Sequence, residues 1–352
     1  MKQMKQILKQ VSGIDVAQKE LVVTLGRMYC DLTIELYAYK VFRNTQTGII
    51  SLLKWVRMLS DQAVRIQFVM EATGVYHQKF AYYLDEKGYD LSVVLPNKIS
   101  NFIRTLEVKT ITDKTASQAI TQFGLERKLD FWKRPKKAYM ALQQLTRERG
   151  QIVDERSIIK NQLHAENTEA LPNKRSIKRM KSRIKFLNSQ EKEIKKDIDK
   201  IVNAEETLKQ EIDDICTIPG VGMLTAVIVL AETNGFELIR NKKQLTSYAG
   251  LDIKEKLSGT SVKGKPRISK RGNRNLRKAM HLPSLSAVKY NKSHKELYVR
   301  LIAKSGIKMK GLIAVQRKLL ELIYVIHKNK TTFNEYYELE KRAFNSKLVD
   351  AL

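Results

Sequence analysis

Apolar residues change their period along the chain. From Val11 to about Trp132, short β-branched and aromatic runs alternate with helix-spaced stretches. Gly13-Ile14-Asp15-Val16 followed by Glu20-Leu21-Val22-Val23-Thr24-Leu25 predicts a hairpin, and the alternation through Leu32 to Phe42 predicts a third strand. Ile49 to Leu59 has helical spacing, Val64 to Met70 predicts a strand ending in Glu71, and Leu91 to Leu95 predicts another, closed by Pro96-Asn97. Strands alternating with helices imply an α/β layer fold for residues 1–132.

The period then becomes that of a heptad. Positions 177, 180, 184, 187, 191, 194, 198, 201, 205, 208, 212 and 215 follow steps of three and four, and all but Glu191 and Glu205 are Ile, Leu or Met. Leu142, Leu145, Ile152, Ile159 and Leu163 keep the register upstream, and Leu171-Pro172-Asn173 supplies a turn. Residues 133–214 therefore read as a long coiled-coil helical hairpin, serving as a structural arm or a dimerisation surface. Its outer bases, Lys174, Arg175, Lys178, Arg179 and Lys181, form either a solvated face or a contact for nucleic acid.

Residues 215–352 read as mainly helical around a basic loop, with an amphipathic stretch from Leu312 to Ile326. This segment opens with Ile218-Pro219-Gly220-Val221-Gly222, a turn that resembles the hairpin of helix-hairpin-helix modules. There Gly220 and Gly222 would let backbone amides approach a phosphate, or serve packing alone.

Charge narrows the partner. The 352 residues are 43% hydrophobic, enough to fill cores, yet Lys and Arg number 65 against 37 acids, a net charge of +28. An excess of that size points to a polyanion, and nucleic acid is the first candidate. No apolar run approaches the roughly 18 residues of a spanning helix, and the first residues lack a signal-peptide core, so a cytoplasmic protein without a membrane partner is expected. Cys30 and Cys216 form no CxxC pair and the five histidines are scattered. Any metal would be held by carboxylates, which suits Mg²⁺ or Mn²⁺.

Two groups of residues carry candidate chemistry. Between Ser261 and His281 stand eight bases and no acid: Lys263, Lys265, Arg267, Lys270, Arg271, Arg274, Arg277 and Lys278. Such a run can neutralise several phosphates, and Ser258 beside it is a candidate nucleophile, with Ser261 its alternative. The same stretch would serve equally as a loop that only positions nucleic acid. In the α/β segment, Asp15 lies in the first strand, Glu71 ends a later one and Asp113 opens the helix Asp113 to Gln122, where it also suits a helix cap. Acids at strand ends and helix starts can converge at one sheet edge and hold divalent ions.

Seven ordered motifs add a resemblance over about residues 11 to 330. Gly13-Ile14-Asp15-Val16, Met70-Glu71-Ala72-Thr73-Gly74-Val75-Tyr76, Thr112-Asp113-Lys114, Ile218-Pro219-Gly220-Val221-Gly222, Tyr248-Ala249-Gly250-Leu251, Ser258-Gly259 and Ile268-Ser269-Lys270-Arg271-Gly272-Asn273 occur in the order of the DEDD-type insertion-sequence transposases. The chain resembles these bridge-RNA-guided recombinases. The resemblance implies an RNase H/RuvC-like N-terminal domain with Asp15, Glu71 and Asp113 as catalytic, metal-binding acids. It implies that Ser258 attacks DNA to form a phosphoserine intermediate with Mg²⁺ nearby, that the coiled coil joins protomers into a dimer or tetramer, and that a noncoding guide RNA specifies donor and target DNA. One position departs from the pattern: where a fourth Asp is expected stands Ala116, beside Ser117, whose hydroxyl could hold a metal-bound water. Two other readings compete: a Holliday-junction-resolvase-like Mg²⁺ nuclease, in which Ser258 only binds phosphate, and a noncatalytic RNA- or DNA-binding protein.

Overall fold

The computed structural model describes residues 6–335 apart from 73, 107–109, 238, 256, 259–261 and 265, with only the backbone at 257, 258, 262 and 263. Ser261 and Lys265 lie outside the described residues. The chain divides into two compact units, residues 1–134 and 135–352.

In the first unit, β1 (Ile7–Val16), β2 (Glu20–Tyr29) and β3 (Ile34–Arg43) form an antiparallel meander. After α1 (Gln46–Leu59), β4 (Ile66–Glu71) lies parallel to β1; after α2 (Gln78–Glu86), β5 (Asp90–Val94) lies parallel to β4. The sheet order is β3-β2-β1-β4-β5. The central strands are apolar at successive positions because helices cover both faces. Even-numbered residues such as Ile14, Phe68 and Met70 pack with Leu52 of α1 and Phe80 and Leu84 of α2. Odd-numbered Val11 and Val69 pack with Ile99 and Phe102 of α3 (Pro96–Ile103) and Ile120 and Phe123 of α4 (Asp113–Glu126). Asp15 and Glu71 share the parity of Val11 and Val69, so strand alternation turns both toward the α4 face.

Close approach of α4 to β1 depends on Gly13. A Cβ there would lie 2.4 Å from the Thr121 nitrogen and 2.7 Å from its Cα. Backbone cannot step aside as a side-chain tip can, so Gly13→Ala should push α4 off the sheet. We expect a loss of about 3 kcal/mol, seen by calorimetry as a fall of roughly 10 °C in the transition of this unit. An unchanged transition would show that the helix can shift freely.

The second unit begins with α5 (Lys137–Thr168) and α6 (Lys174–Ala204), joined through residues 169–173, with Asn173 capping α6 through its side chain. Cross-links Arg149–Glu191 and Arg156–Asn188, both 2.8 Å, and Arg183–Glu155 at 3.5 Å run in opposite chain directions, so the helices are antiparallel. The heptad positions Leu187, Ile194 and Ile198 are buried with Ile152 and Ile159. Glu191, the polar exception in the stripe, is buried among Arg149, Arg156 and Lys195. Burial opposes its ionisation, yet these cations hold its carboxyl down at about 2.

The stripe is not one helix to residue 215, as its period suggested. Glu205 is extended (φ −130°, ψ 105°), and α7 (Glu206–Cys216) starts anew. The break redirects Leu208, Ile212 and Ile215 into one core with α8 (Met223–Thr233) and α13 (Lys308–Asn329). That core also takes in Tyr139 and Leu142, so the base of the hairpin and the following helices are packed together. The remaining helices are α9 (Lys242–Tyr248), α10 (Arg274–Ala279), α11 (His281–Tyr290) and α12 (Lys292–Ser305).

The stretch expected as a basic loop is a ribbon. β6 (Ile253–Lys254) pairs with β9 (Arg267–Ile268), and within them β7 (Leu257–Ser258) pairs with β8 (Val262–Lys263), all antiparallel. Apolar positions in these strands are too few for a periodicity signal; the pairing across the turn forms them. Among the described residues, no helix is long and apolar enough to cross a membrane, and both cysteines are free.

Candidate active site

The acids of the first unit are brought together by strand register and helix capping. Ile14 pairs with Met70 across the parallel β1–β4 ladder, so Asp15 and Glu71 follow as neighbours at the carboxyl ends of adjacent strands. Asp113 arrives on α4. Thr112 is the cap of this helix, accepting from the Thr115 amide at 3.3 Å while Thr115 Oγ1 accepts from the Thr112 amide at 2.7 Å. The capping role expected of Asp113 thus falls to its neighbour, and the Asp113 carboxylate stands exposed in the first helical turn, where the helix dipole favours an anion.

Asp15 is half-buried. Burial and the Asp113 charge push its carboxyl above the ordinary carboxylate value, partly offset by a hydrogen bond from the Val16 amide. Asp15 and Asp113 therefore act on each other electrostatically, the arrangement that a cation relieves. Among the described residues, no group of three or more His, Cys, Asp or Glu is gathered closely enough to hold a metal ion. Asp15 and Asp113 interact as a pair, and Glu71 ends the adjoining strand. Hard carboxylate oxygens in that number suit Mg²⁺, which is commonly held by one or two carboxylates together with substrate phosphates.

Ala116 occupies the same face of α4 as Asp113, one turn on. Ser117 does not substitute for the missing acid. Its hydroxyl is fully buried, donates to the Lys114 carbonyl and lies 2.8 Å from Thr24 Oγ1 beneath the helix. Ala116→Asp would add a fourth carboxylate, one turn from Asp113, on a half-exposed position. We expect divalent-ion affinity, read by calorimetric titration, to rise about tenfold; no change would show that position 116 faces away from the ion.

In the second unit, Ser258 holds the last paired position before the ribbon tip, opposite Val262. The candidate bases do not all face solvent in one role. Arg267, Lys270, Arg271 and Arg274 are exposed with no ion-pair partner among the described residues. Arg277 donates at 2.8 Å to the Ala249 carbonyl, and Lys278 pairs with Asp154 of α5. Those two are structural ties. Lys263 has only its backbone described, within β8.

The glycines of the turn before α8 also divide. Gly220 (φ +93°) packs against α11, where a Cβ would come within 2.8 Å of the Ala287 nitrogen. Gly222 is exposed at the start of α8 with open space around it, leaving that helix terminus accessible to an anion.

Sequence reasoning missed a buried acid. Glu232, the only charged residue of the otherwise apolar α8, receives a bidentate fork from Arg147, both bonds 2.8 Å, and bonds from Asn273 at 2.7 Å and Asn275 at 3.0 Å. Its burial raises the cost of ionisation, but Arg147 and Asn273 hold the carboxyl below its ordinary range. The available signal was a lone carboxylate in an apolar helix, which must find partners.

Two transposase family descriptions match stretches that include these regions. A DEDD transposase family of the IS110 type matches residues 12–172, and the family described as Transposase IS116/IS110/IS902 matches residues 213–299. The pilin gene-inverting protein of Moraxella lacunata is 24% identical over 329 residues, spanning 93% of this chain and 98% of that protein; its Moraxella bovis counterpart is 23% identical over the same length. A T. thermophilus RuvC chain in complex with Holliday junction substrate aligns over 35% of this chain and 99% of its own, at 12% identity and a TM-score of only 0.26. With the two domain matches spanning the carboxylate edge and the serine ribbon, the chain belongs to the IS110 family of transposases, enzymes that cut and recombine DNA.

Proposed function

We propose that this chain is an RNA-guided DNA recombinase that moves its own element through a serine-linked intermediate. Ser258 Oγ attacks a backbone phosphorus: an Oγ–P bond forms, the P–O bond to one strand end breaks, the serine gives up a proton and the departing oxygen takes one up. Attack by a new strand end reverses the step and reseals DNA. Asp15, Glu71 and Asp113 of a second copy, in a dimer or tetramer joined through the hairpin, orient the phosphate, with Asp113 assisted by its place in the first turn of α4. Bound Mg²⁺ or Mn²⁺ would supply stabilisation of the charge that develops on the phosphate oxygens.

The observation that carries this reading is the position of Ser258, in a ribbon whose return strand and following turn expose Arg267, Lys270, Arg271 and Arg274. Four cations grouped there suit donor and target DNA backbones. The exposed bases of α6, Lys174, Arg175, Lys178, Arg179 and Lys181, offer a second basic face, for which a noncoding guide RNA is the proposed partner. The RNase H/RuvC-like reading of the first unit is supported by its sheet order, with acids ending two adjacent parallel strands.

The test is a denaturing-gel search for a covalent protein–DNA adduct, using the chain co-expressed with the RNA flanking its element, matched donor and target DNA and Mg²⁺. An adduct with resealed product is expected only when RNA is present. Cutting without an adduct would favour a RuvC-like nuclease, and tight binding with neither would overturn catalysis by this chain.

A further inference from the structure

Both legs of the serine ribbon leave from one crossing point, and Glu232 lies under it. On the entering leg, α9 ends in Tyr248-Ala249-Gly250, with Gly250 at φ +65° and the Leu251 amide bonded to the Thr246 carbonyl at 2.9 Å. The returning leg passes through Lys270 and Gly272, at φ +52° and +151°. The legs are stitched together by Lys270 N–H to the Gly250 carbonyl at 3.1 Å and Asn273 N–H to the Tyr248 carbonyl at 2.7 Å. The strands lie so close that a Cβ at Gly272 would sit 2.3 Å from the Tyr248 carbonyl oxygen.

Glu232 holds each leg from below. Its carbonyl accepts the Tyr248 hydroxyl at 2.9 Å, and its carboxylate accepts Asn273 Nδ2 at 2.7 Å. Asn273 in turn caps α10 through its Oδ1, bonded from the Leu276 amide at 3.0 Å. Arg147 brings α5 of the hairpin to the same carboxylate. A fold needing only a filled core would place an apolar side chain at this buried point of α8 at lower desolvation cost. The carboxylate instead offers its oxygens to two segments remote in sequence, α5 and the returning leg.

We propose that the Glu232 carboxylate is a positioning group that sets the direction of the serine ribbon through Asn273 of the returning leg and links it to the long hairpin through Arg147. The proposal rests on the reading of Ser258 as nucleophile. Displacing an attacking atom by about 1 Å can cost on the order of a hundredfold in rate, so the orientation of both legs bears directly on strand cleavage.

Glu232→Gln keeps the shape and removes the charge. Full-length variant and parent would be compared for single-turnover cleavage at saturating DNA, for DNA affinity at fixed salt, for thermal transition, and for amide exchange over residues 248–273. The expected result is a cleavage rate lower by about 10- to 100-fold, DNA affinity within threefold, and faster exchange confined to the two legs. Arg147→Lys, which keeps the charge but loses the fork, should fall between them. A rate loss that merely tracks the unfolded fraction, or one with unchanged exchange, would overturn the proposal. Ser258→Ala runs alongside. If that variant still cuts, the nucleophile reading fails, and the positioning role stands or falls on the exchange measurement alone.

Discussion

Ser258→Ala should abolish the covalent adduct and lower strand cleavage by at least about 10³-fold, while DNA binding stays within about twofold. The ladder that holds residue 258 is made by backbone groups opposite Val262, so removing a hydroxyl leaves the ribbon intact. Arg267, Lys270, Arg271 and Arg274, the proposed phosphate contacts, are exposed and untouched by the substitution. The chemistry, by contrast, loses the proposed attacking atom, and an adduct that persisted in the variant would point to Ser261. The measurement is a quantitative gel with a parallel filter-binding titration. Adduct formation by the variant at the parent rate would move the nucleophile elsewhere.

Asp15→Asn should be nearly inactive and yet no less stable at neutral pH. Asparagine fits the same half-buried place on β1 but carries no charge, so cleavage should fall by about 10³-fold and the stabilising effect of divalent ions should disappear. In the parent, saturation to about 100 times the dissociation constant would add about 2.7 kcal/mol of stability. The pH dependence has the opposite sign to that of an ordinary ion-paired acid. Burial and Asp113 raise the Asp15 carboxyl above its unfolded value, so the folded chain holds this proton more tightly. Ionisation therefore costs stability, and the cost grows as pH rises from the unfolded value through the folded one and is complete above it. Without added metal, the Asn variant should melt at or above the parent temperature at pH 7, and the difference should vanish in acid below the ordinary carboxylate range. Thermal scans across pH, with and without Mg²⁺, read both effects. A variant that melts well below the parent at pH 7 would mean that the Asp15 charge is satisfied by partners rather than burdened by Asp113.

Much of this was legible in the residues because burial follows local period. The strands around Ile14, Val23 and Met70 were readable from apolar runs, and their acidic ends with them, whereas the β1–β4 register put Asp15 and Glu71 on one face. The long helices of the second unit were readable from a stripe of Ile and Leu. Where a side chain could choose between partners, the sequence was silent. Asp113 had the chemistry of a cap, but Thr112 precedes it and forms a reciprocal pair with Thr115, which releases the acid. Ser117 had the chemistry to replace a lost ligand, but its place on the helix turns it into the sheet.

The basic run shows the same division. Its charge was plain from composition, whereas its shape was not, because Ile253, Val262 and Ile268 are too sparse to set a strand period. Arg277 and Lys278 look like Arg267 and Arg271 in sequence, yet the end of α9 and the middle of α5 claim them.

By itself the sequence determined the two kinds of layer, the acidic strand ends, the paired long helices and the polyanionic partner, since each depends on residues within a few turns of one another. Only the tertiary structure decided where the heptad helix breaks, which cations stay exposed, and that Glu232 lies beneath the crossing of the serine ribbon's legs. Those outcomes join residues far apart in sequence, 85 positions in the case of Arg147 and Glu232. A buried carboxylate in an apolar helix announces that partners are needed; the packing of the whole unit selects which ones.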